Sequence, residues 1–325
     1  MLGSNAPVLQ VNHLSLAFRT PAGSADVVKD LSYTLKKGRV LGVVGESGSG
    51  KTMQALALLK LLPPNALITG GEVAYNGKNL LALTERELRD VRGNKIAFIF
   101  QDPMSSLNPV LTIGEQMTET LRAHKKITRE EARKQCAQLL EKVGISGGEK
   151  RLNDYPFQFS GGMCQRVMIA MALLLHPDIL IADEPTTALD VTIQAQMLRL
   201  IKTLQQENDM ACLFITHNLA VVAGIADEVL VLYGGVCMEL APAEQIFANP
   251  LHPYTRGLLG SLAPLDKKVA RLPAISGRPP LVGEKITGCP FAPRCAQATK
   301  KCFEVCPPLF AEDNRQTRCW LREQK

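Results

Sequence analysis

Short apolar runs alternate with amphipathic stretches along most of the chain. Residues 40–44, 96–100, 179–182 and 211–215 are continuous apolar runs of strand length, the composition of strands buried on both faces. Between them, 53–62, 85–92, 113–124, 128–143, 163–175 and 191–206 carry helical spacing. Strands alternating with helices predict an α/β fold with a mostly parallel sheet covered on both sides. Two looser alternations, 8–18 and 27–35, precede the first buried run and predict a small antiparallel sheet. Residues 70–77 read as a strand with a tight turn, and 228–232 and 236–240 as strands joined by Gly234-Gly235. The helices from 113 to 175 form an insertion between core strands. Thr128, followed by Glu130 and Glu131, predicts a capped helix start. Beyond Pro253 the composition shifts to proline, cysteine and basic residues, which places a boundary near Leu262.

The first buried run leads into Gly45, Glu46, Ser47, Gly48, Ser49, Gly50, Lys51 and Thr52. Strand, glycine loop, Lys-Thr and helix is the context of a phosphate-binding loop. Glycines let successive backbone N–H groups turn inward on an anion, and the helix start adds its positive end. Lys51 would reach the outer phosphates, and the Thr52 hydroxyl would hold Mg²⁺. A glycine-rich turn before an ordinary helix is the plainer reading, but every fixed position of the pattern is met. Run 179–182 ends in Asp183 and Glu184: one acid to hold Mg²⁺, the next to polarise an attacking water. Phe159-Ser160-Gly161-Gly162-Met163 opens a second helix with small residues, a second anion-binding start that would serve the nucleotide of another copy.

That last segment resembles the signature of ABC ATPases, with Phe159 in place of the usual Leu. The other elements of the family stand in order: GESGSGKT, Gln101 after a strand, ILIADE, Ala188-Leu189-Asp190, and His217 after a strand. The resemblance runs from about residue 9 to 248. It implies a P-loop NTPase with a RecA-like core, an antiparallel β subdomain and a helical subdomain. It also implies roles. Phe18 would stack on adenine. Gln101 would sense the γ-phosphate and Mg²⁺, with Thr52 and Asp183 as the other Mg²⁺ contacts. Ser160, Gly161 and Gly162, with Met163 beside them, would close over ATP bound by an opposite subunit. Asp190 would work across that interface, and His217 would hold Glu184 and the water in place. Read alone, His217 is a core histidine and Phe18 a packing aromatic.

Composition narrows the setting. Of 325 residues, 46% are hydrophobic and 21% charged, ordinary for a soluble globular chain. No apolar run reaches membrane-spanning length, and MLGSNAPVLQ lacks the features of a signal peptide, so a cytosolic protein is expected. The net charge of +6 lies wholly in residues 266–325, where 12 Lys and Arg face 6 Asp and Glu. Five of nine cysteines crowd the same tail: Cys289, Cys295, Cys302, Cys306 and Cys319. In a reducing compartment such a cluster suggests a metal site rather than disulfides, and the spacing is not that of a zinc finger.

QDPMSSLNP, SGGMCQRVMIAMALL, NPLHPYTRGLL and GCPFAPRC resemble the ATP-binding subunits of oligopeptide and dipeptide ABC importers. Cys164 departs from that pattern, standing where a polar residue is usual. The resemblance implies an ATPase domain over 1–262, with its helical subdomain at about 102–176, and a Cys-rich extension over 263–325. It implies a place on the cytoplasmic face of the bacterial inner membrane. The implied partners are two integral membrane permease subunits, a second ATP-binding subunit (a paralogue rather than another copy) and a solute-binding protein, with no nucleic acid. The extension resembles one in which four cysteines bind a [4Fe–4S] cluster, here Cys289, Cys295, Cys302 and Cys319. Zinc and metal-free reduced thiols stay open as alternatives. Two other functions stay open as well: a soluble ABC ATPase acting on ribosomes or nucleic acid, and import of a non-peptide solute such as nickel.

Overall fold

A computed structural model of the chain describes residues 7–21, 23–186, 190–261 and 274–323. Its strands are β1 (Pro7–Thr20), β2 (Gly23–Lys36), β3 (Val40–Val44), β4 (Ala66–Tyr75), β5 (Lys78–Asn79) and β6 (Ile96–Ile99). They continue as β7 (Ile179–Asp183), β8 (Ala211–Thr216), β9 (Glu228–Tyr233), β10 (Val236–Pro242), β11 (Phe310–Glu312) and β12 (Arg315–Thr317). The chain divides into two compact units. One comprises 9–35, 39–81 and 214–325, and the other is built chiefly from 82–213.

The first unit holds two sheets. The expected antiparallel sheet has the order β2-β1-β4-β5, with β1 and β4 paired from Leu9 opposite Tyr75 to Phe18 opposite Ala66. In the second sheet β3 runs parallel to β9, β9 antiparallel to β10, and β10 antiparallel to β12. All five residues of β3 are buried, as the unbroken apolar run requires. The tail is not a separate lobe here. Its hairpin, β11 and β12, extends the core sheet through Glu239 opposite Thr317 and Leu240 opposite Gln316. Phe291 and Ala292 of the tail share one hydrophobic cluster with Val229, Val231 and Met238. Fully buried Glu239 of β10 fastens this edge. Its carboxylate accepts from the backbone N–H groups of Leu251 (2.8 Å) and His252 (2.9 Å) and from Arg315 of β12 (3.2 Å).

The other unit pairs β6 with β7 in parallel, from Ile96 opposite Ile179 to Ile99 opposite Ala182. The expected helices lie at Ile113–His124, Arg129–Lys142, Gly161–Leu173 and Val191–Glu207. Thr128 caps its helix in a reciprocal box: its hydroxyl accepts from the N–H of Glu131, whose carboxylate accepts from the N–H of Thr128. Thr112 with Glu115 repeats the device. Residues 103–106 form a short helical turn. In the first unit the helix after the glycine loop spans Lys51–Leu58, shorter than the 53–62 reading. Lys60, in the left-handed region at φ 51°, turns the chain before Pro63 and Pro64.

Candidate nucleotide-binding site

The glycine loop lies between buried β3 and the helix Lys51–Leu58, whose N-cap is Gly50 at φ 98°, a conformation that suits glycine. Lys51 is almost fully buried. Its ammonium donates to the carbonyls of Gly45 (2.7 Å) and Glu46 (2.9 Å), so the cation is held inside the turn of the loop. The N–H of Ser49 donates to Glu46 O (3.2 Å), and the N–H of Gly235 donates to Ser49 O (3.2 Å), tying the loop to the β9–β10 turn. Thr52 stands exposed on the first helical turn. Phe18 is half-buried on β1. His217 is exposed directly after β8, and Asn218 caps the helix Leu219–Ile225 beside it by accepting from the N–H of Ala220 (3.0 Å).

Glu46 has partners that the sequence patterns do not announce. Its N–H donates to the phenol of Tyr254 (3.0 Å). Its carboxylate takes a two-pronged grip from Arg294 of the tail, at 2.6 and 3.0 Å. Arg294 also donates to Tyr233 Oη (3.0 Å) and to the carbonyls of Ser276 (2.9 Å) and Ile275 (3.2 Å). Its side chain is 6% exposed, and the guanidinium lies over the rings of Tyr233 and Phe291. Both Tyr254 and Arg294 sit in stretches that carried the peptide-importer resemblance, HPYTR and APRC. That was the only sequence signal for them.

The other unit carries the acids. Asp183 ends β7 and is buried. Glu184 follows at φ 47°, a left-handed conformation that costs a non-glycine residue about 1 kcal/mol or more. Its carboxylate accepts from the amide of Gln101 (3.0 Å), so the predicted sensor holds the predicted base. Ser160 caps the helix Gly161–Leu173, its hydroxyl accepting from the N–H of Met163 (3.3 Å), and Gly161 and Gly162 form the open first turn. Asp190 caps Val191–Glu207 by accepting from the N–H of Ile193 (3.0 Å). Ala188 and Leu189 lie outside the described residues. The two departures from the family pattern are packing residues. Cys164 is fully buried, with burial pushing its thiol up, and Phe159 lies under the guanidinium of Arg151. Geometry thus supplies a cradle for phosphates in one unit and, in the other, a carboxylate pair with an open helix start.

The model of the ABC transporter family matches residues 28–187, and that of the oligopeptide/dipeptide transporter C-terminal region matches 238–302. The dipeptide transport ATP-binding protein DppD of Bacillus subtilis (strain 168) is 47% identical over 320 residues, 98% of this chain and 96% of its own length. The chain belongs to the oligopeptide/dipeptide branch of the ABC transporter ATP-binding proteins. The oligopeptide transport ATP-binding protein OppD of Salmonella typhimurium is 49% identical over 304 residues, 94% of this chain and 90% of that one. Among solved structures, the ATP-binding cassette MJ0796 bound to ADP and Pi matches at 27% identity and a TM-score of 0.65, covering 72% of this chain and 98% of that one. The α/β cassette fold and ATP hydrolysis follow from membership of this family.

This ABC ATPase also gathers its tail cysteines. Cys289, Cys295, Cys302 and Cys319 line one small cavity with Phe291, while Cys306 lines another with Lys29 and Arg318. Burial, with neighbouring thiols adding to it, pushes Cys289 up to about 12. Buried His252 borders the same cavity, but its Nδ1 accepts from the N–H of Tyr254 (2.9 Å) and its ring also bonds the backbone at Arg318, so neither nitrogen is offered to a metal. Among the described residues, no three His, Cys, Asp or Glu side chains are placed to hold a single metal ion.

Proposed function

We propose that this chain hydrolyses ATP to drive import of peptides across the bacterial inner (cell) membrane, as the ATPase of a transporter whose membrane subunits are separate chains. The observation that carries this is the conjunction of two things. The glycine loop holds a buried Lys51 on its own carbonyls, a cradle suited to phosphates, and the tail, matched to the oligopeptide/dipeptide transporter C-terminal region, is built into the sheet of the same unit. No helix among the described residues is long and apolar enough to cross a membrane.

The roles run as follows. The loop from Gly45 to Thr52 would cradle the phosphates, with Lys51 exchanging its carbonyl partners for phosphate oxygens. Thr52, Gln101 and Asp183 would contact Mg²⁺. Glu184, oriented by Gln101, would polarise the water, and His217 would steady it. Phe18 would stack on adenine. Ser160, Gly161, Gly162, Met163 and Asp190 would complete the site of a second ATP-binding subunit, a paralogue in our reading. Two permeases and a solute-binding protein complete the assembly, with the chain peripheral on the cytoplasmic face.

The test is purification of the assembled complex and its reconstitution in vesicles. Peptide uptake should require ATP. Glu184→Gln should bind ATP, trap the subunits together and reduce turnover by about a thousandfold, the scale of losing a base. Near-normal turnover would remove Glu184 from its role, and recovery of the chain with ribosomes or nucleic acid in place of hydrophobic subunits would overturn the importer.

The same reading extends to the tail. We propose Cys289, Cys295, Cys302 and Cys319 as the ligands of a [4Fe–4S] cluster. All four thiols line one cavity and Cys306 lines another. Bound thiolates would be offset by the basic tail. Such a group would brace the extension. Anaerobic purification should yield about four irons and four sulfides per chain, lost in Cys289→Ser but not in Cys306→Ser. Zinc alone, or no metal, would refute this.

A further inference from the structure

Glu46 places a carboxylate in a loop whose purpose is to bind an anion. Lys51 is bonded to the backbone carbonyl of that same residue. An unrestrained acid at this position would do two kinds of harm. It would repel an incoming polyphosphate, and it would compete for the Lys51 ammonium, the cation on which phosphate binding depends.

The structure restrains it from far along the chain. Arg294, 248 residues away in sequence, takes both carboxylate oxygens. A guanidinium has five N–H donors, and here every one has an acceptor: two on Glu46, and one each on Tyr233, Ser276 and Ile275. A fork so fully engaged and so deeply buried cannot swing, and it fixes the side chain it holds. Tyr254 fixes the backbone of Glu46 from the other end. Tyr233, Tyr254 and Phe291 pack ring to ring, with centroids 4.5 to 5.4 Å apart, and form the floor beneath both contacts.

We propose that Arg294 is a positioning residue for ATP binding: by holding the Glu46 carboxylate, the tail keeps that charge out of the phosphate cradle and off Lys51. This rests on the ATPase reading of the loop and goes beyond it. The tail is then part of the nucleotide site and not only a structural appendage. Lysine could not substitute fully, because it lacks the planar two-pronged donor pair.

The test uses the full-length chain in its assembled complex, with Mg²⁺-ATP as the probe. Arg294→Ala should raise KM for ATP about tenfold, the equivalent of one charge-assisted hydrogen bond, with kcat within about threefold. Arg294→Lys should fall between it and the parent. Adding Glu46→Gln to Arg294→Ala should restore KM to within about threefold of the parent, because the freed charge, not the lost packing, is the cause. A residue that merely braced the tail would lower thermal stability without this rescue. The proposal is overturned if Arg294→Ala leaves KM within twofold, or if the double variant is no better than the single. Should Arg294→Ala fail to fold, Arg294→Lys with and without Glu46→Gln gives the same reading. Failure of the parent protein to hydrolyse ATP would instead sink the ATPase reading itself.

Discussion

A side chain at position 45 has nowhere to go. A Cβ built on Gly45 would lie 2.1 Å from the carbonyl oxygen of Leu232 and 2.8 Å from Ser49 Oγ. The first obstacle is backbone of β9, so relief requires moving a strand or pushing the loop outward. Gly45→Ala should therefore weaken Mg²⁺-ATP binding by about tenfold or more while leaving the chain folded, as read by titration with ATP and by circular dichroism. Unchanged affinity would mean that the loop can shift without cost. The glycine pattern made this position legible in the sequence. Arg294 was not legible, because nothing in the spacing of charges links it to Glu46. Cys164 was legible only as a departure, and its burial against Pro156 explains why a small apolar group is accepted there.

Elements were read best where length and caps agreed. Ile113–His124 matches its predicted bounds, and each end has a physical cause: Thr112 with Glu115 at the start, and Arg122 and His124 against the dipole at the close. Three-residue strands such as β11 and β12 carry too little alternation to be seen, and their pairing with β10 is long-range. Glu239 shows what that pairing costs and gains. Removing its charge leaves Arg315, bonded to the Asn249 carbonyl at 2.6 Å, as a poorly solvated cation. Glu239→Gln should lower stability by about 3 kcal/mol in urea titrations. Adding Arg315→Met should recover part of that loss, because the unpaired charge is removed with it. Simple additivity of the two changes would show that the pair is not coupled.

At the scale of the molecule, composition marked the change of character near residue 262, while the physics of the sheet crosses it. Strand-like runs on both sides of the phosphate loop predicted the α/β core and the antiparallel sheet, since each buried run has one stable use. What a composition boundary does not reveal is that Cys289, Phe291 and Ala292 bury themselves against β9 and β10. Nor does it reveal that the phosphate loop, Phe18 and His217 lie in one compact unit and Gln101, Asp183, Glu184 and Ser160 in the other. The family motifs named those residues before any geometry did, because short local motifs carry them rather than a periodic pattern.

Glu184 holds its carboxylate at the end of a backbone turned the wrong way for its residue type. Glycine or asparagine would sit there more comfortably, by about 1 kcal/mol. With the role proposed above for Glu184, any pressure that rewards heat resistance alone, in a laboratory library or a hot habitat, would drift toward a cassette that grips ATP and never spends it.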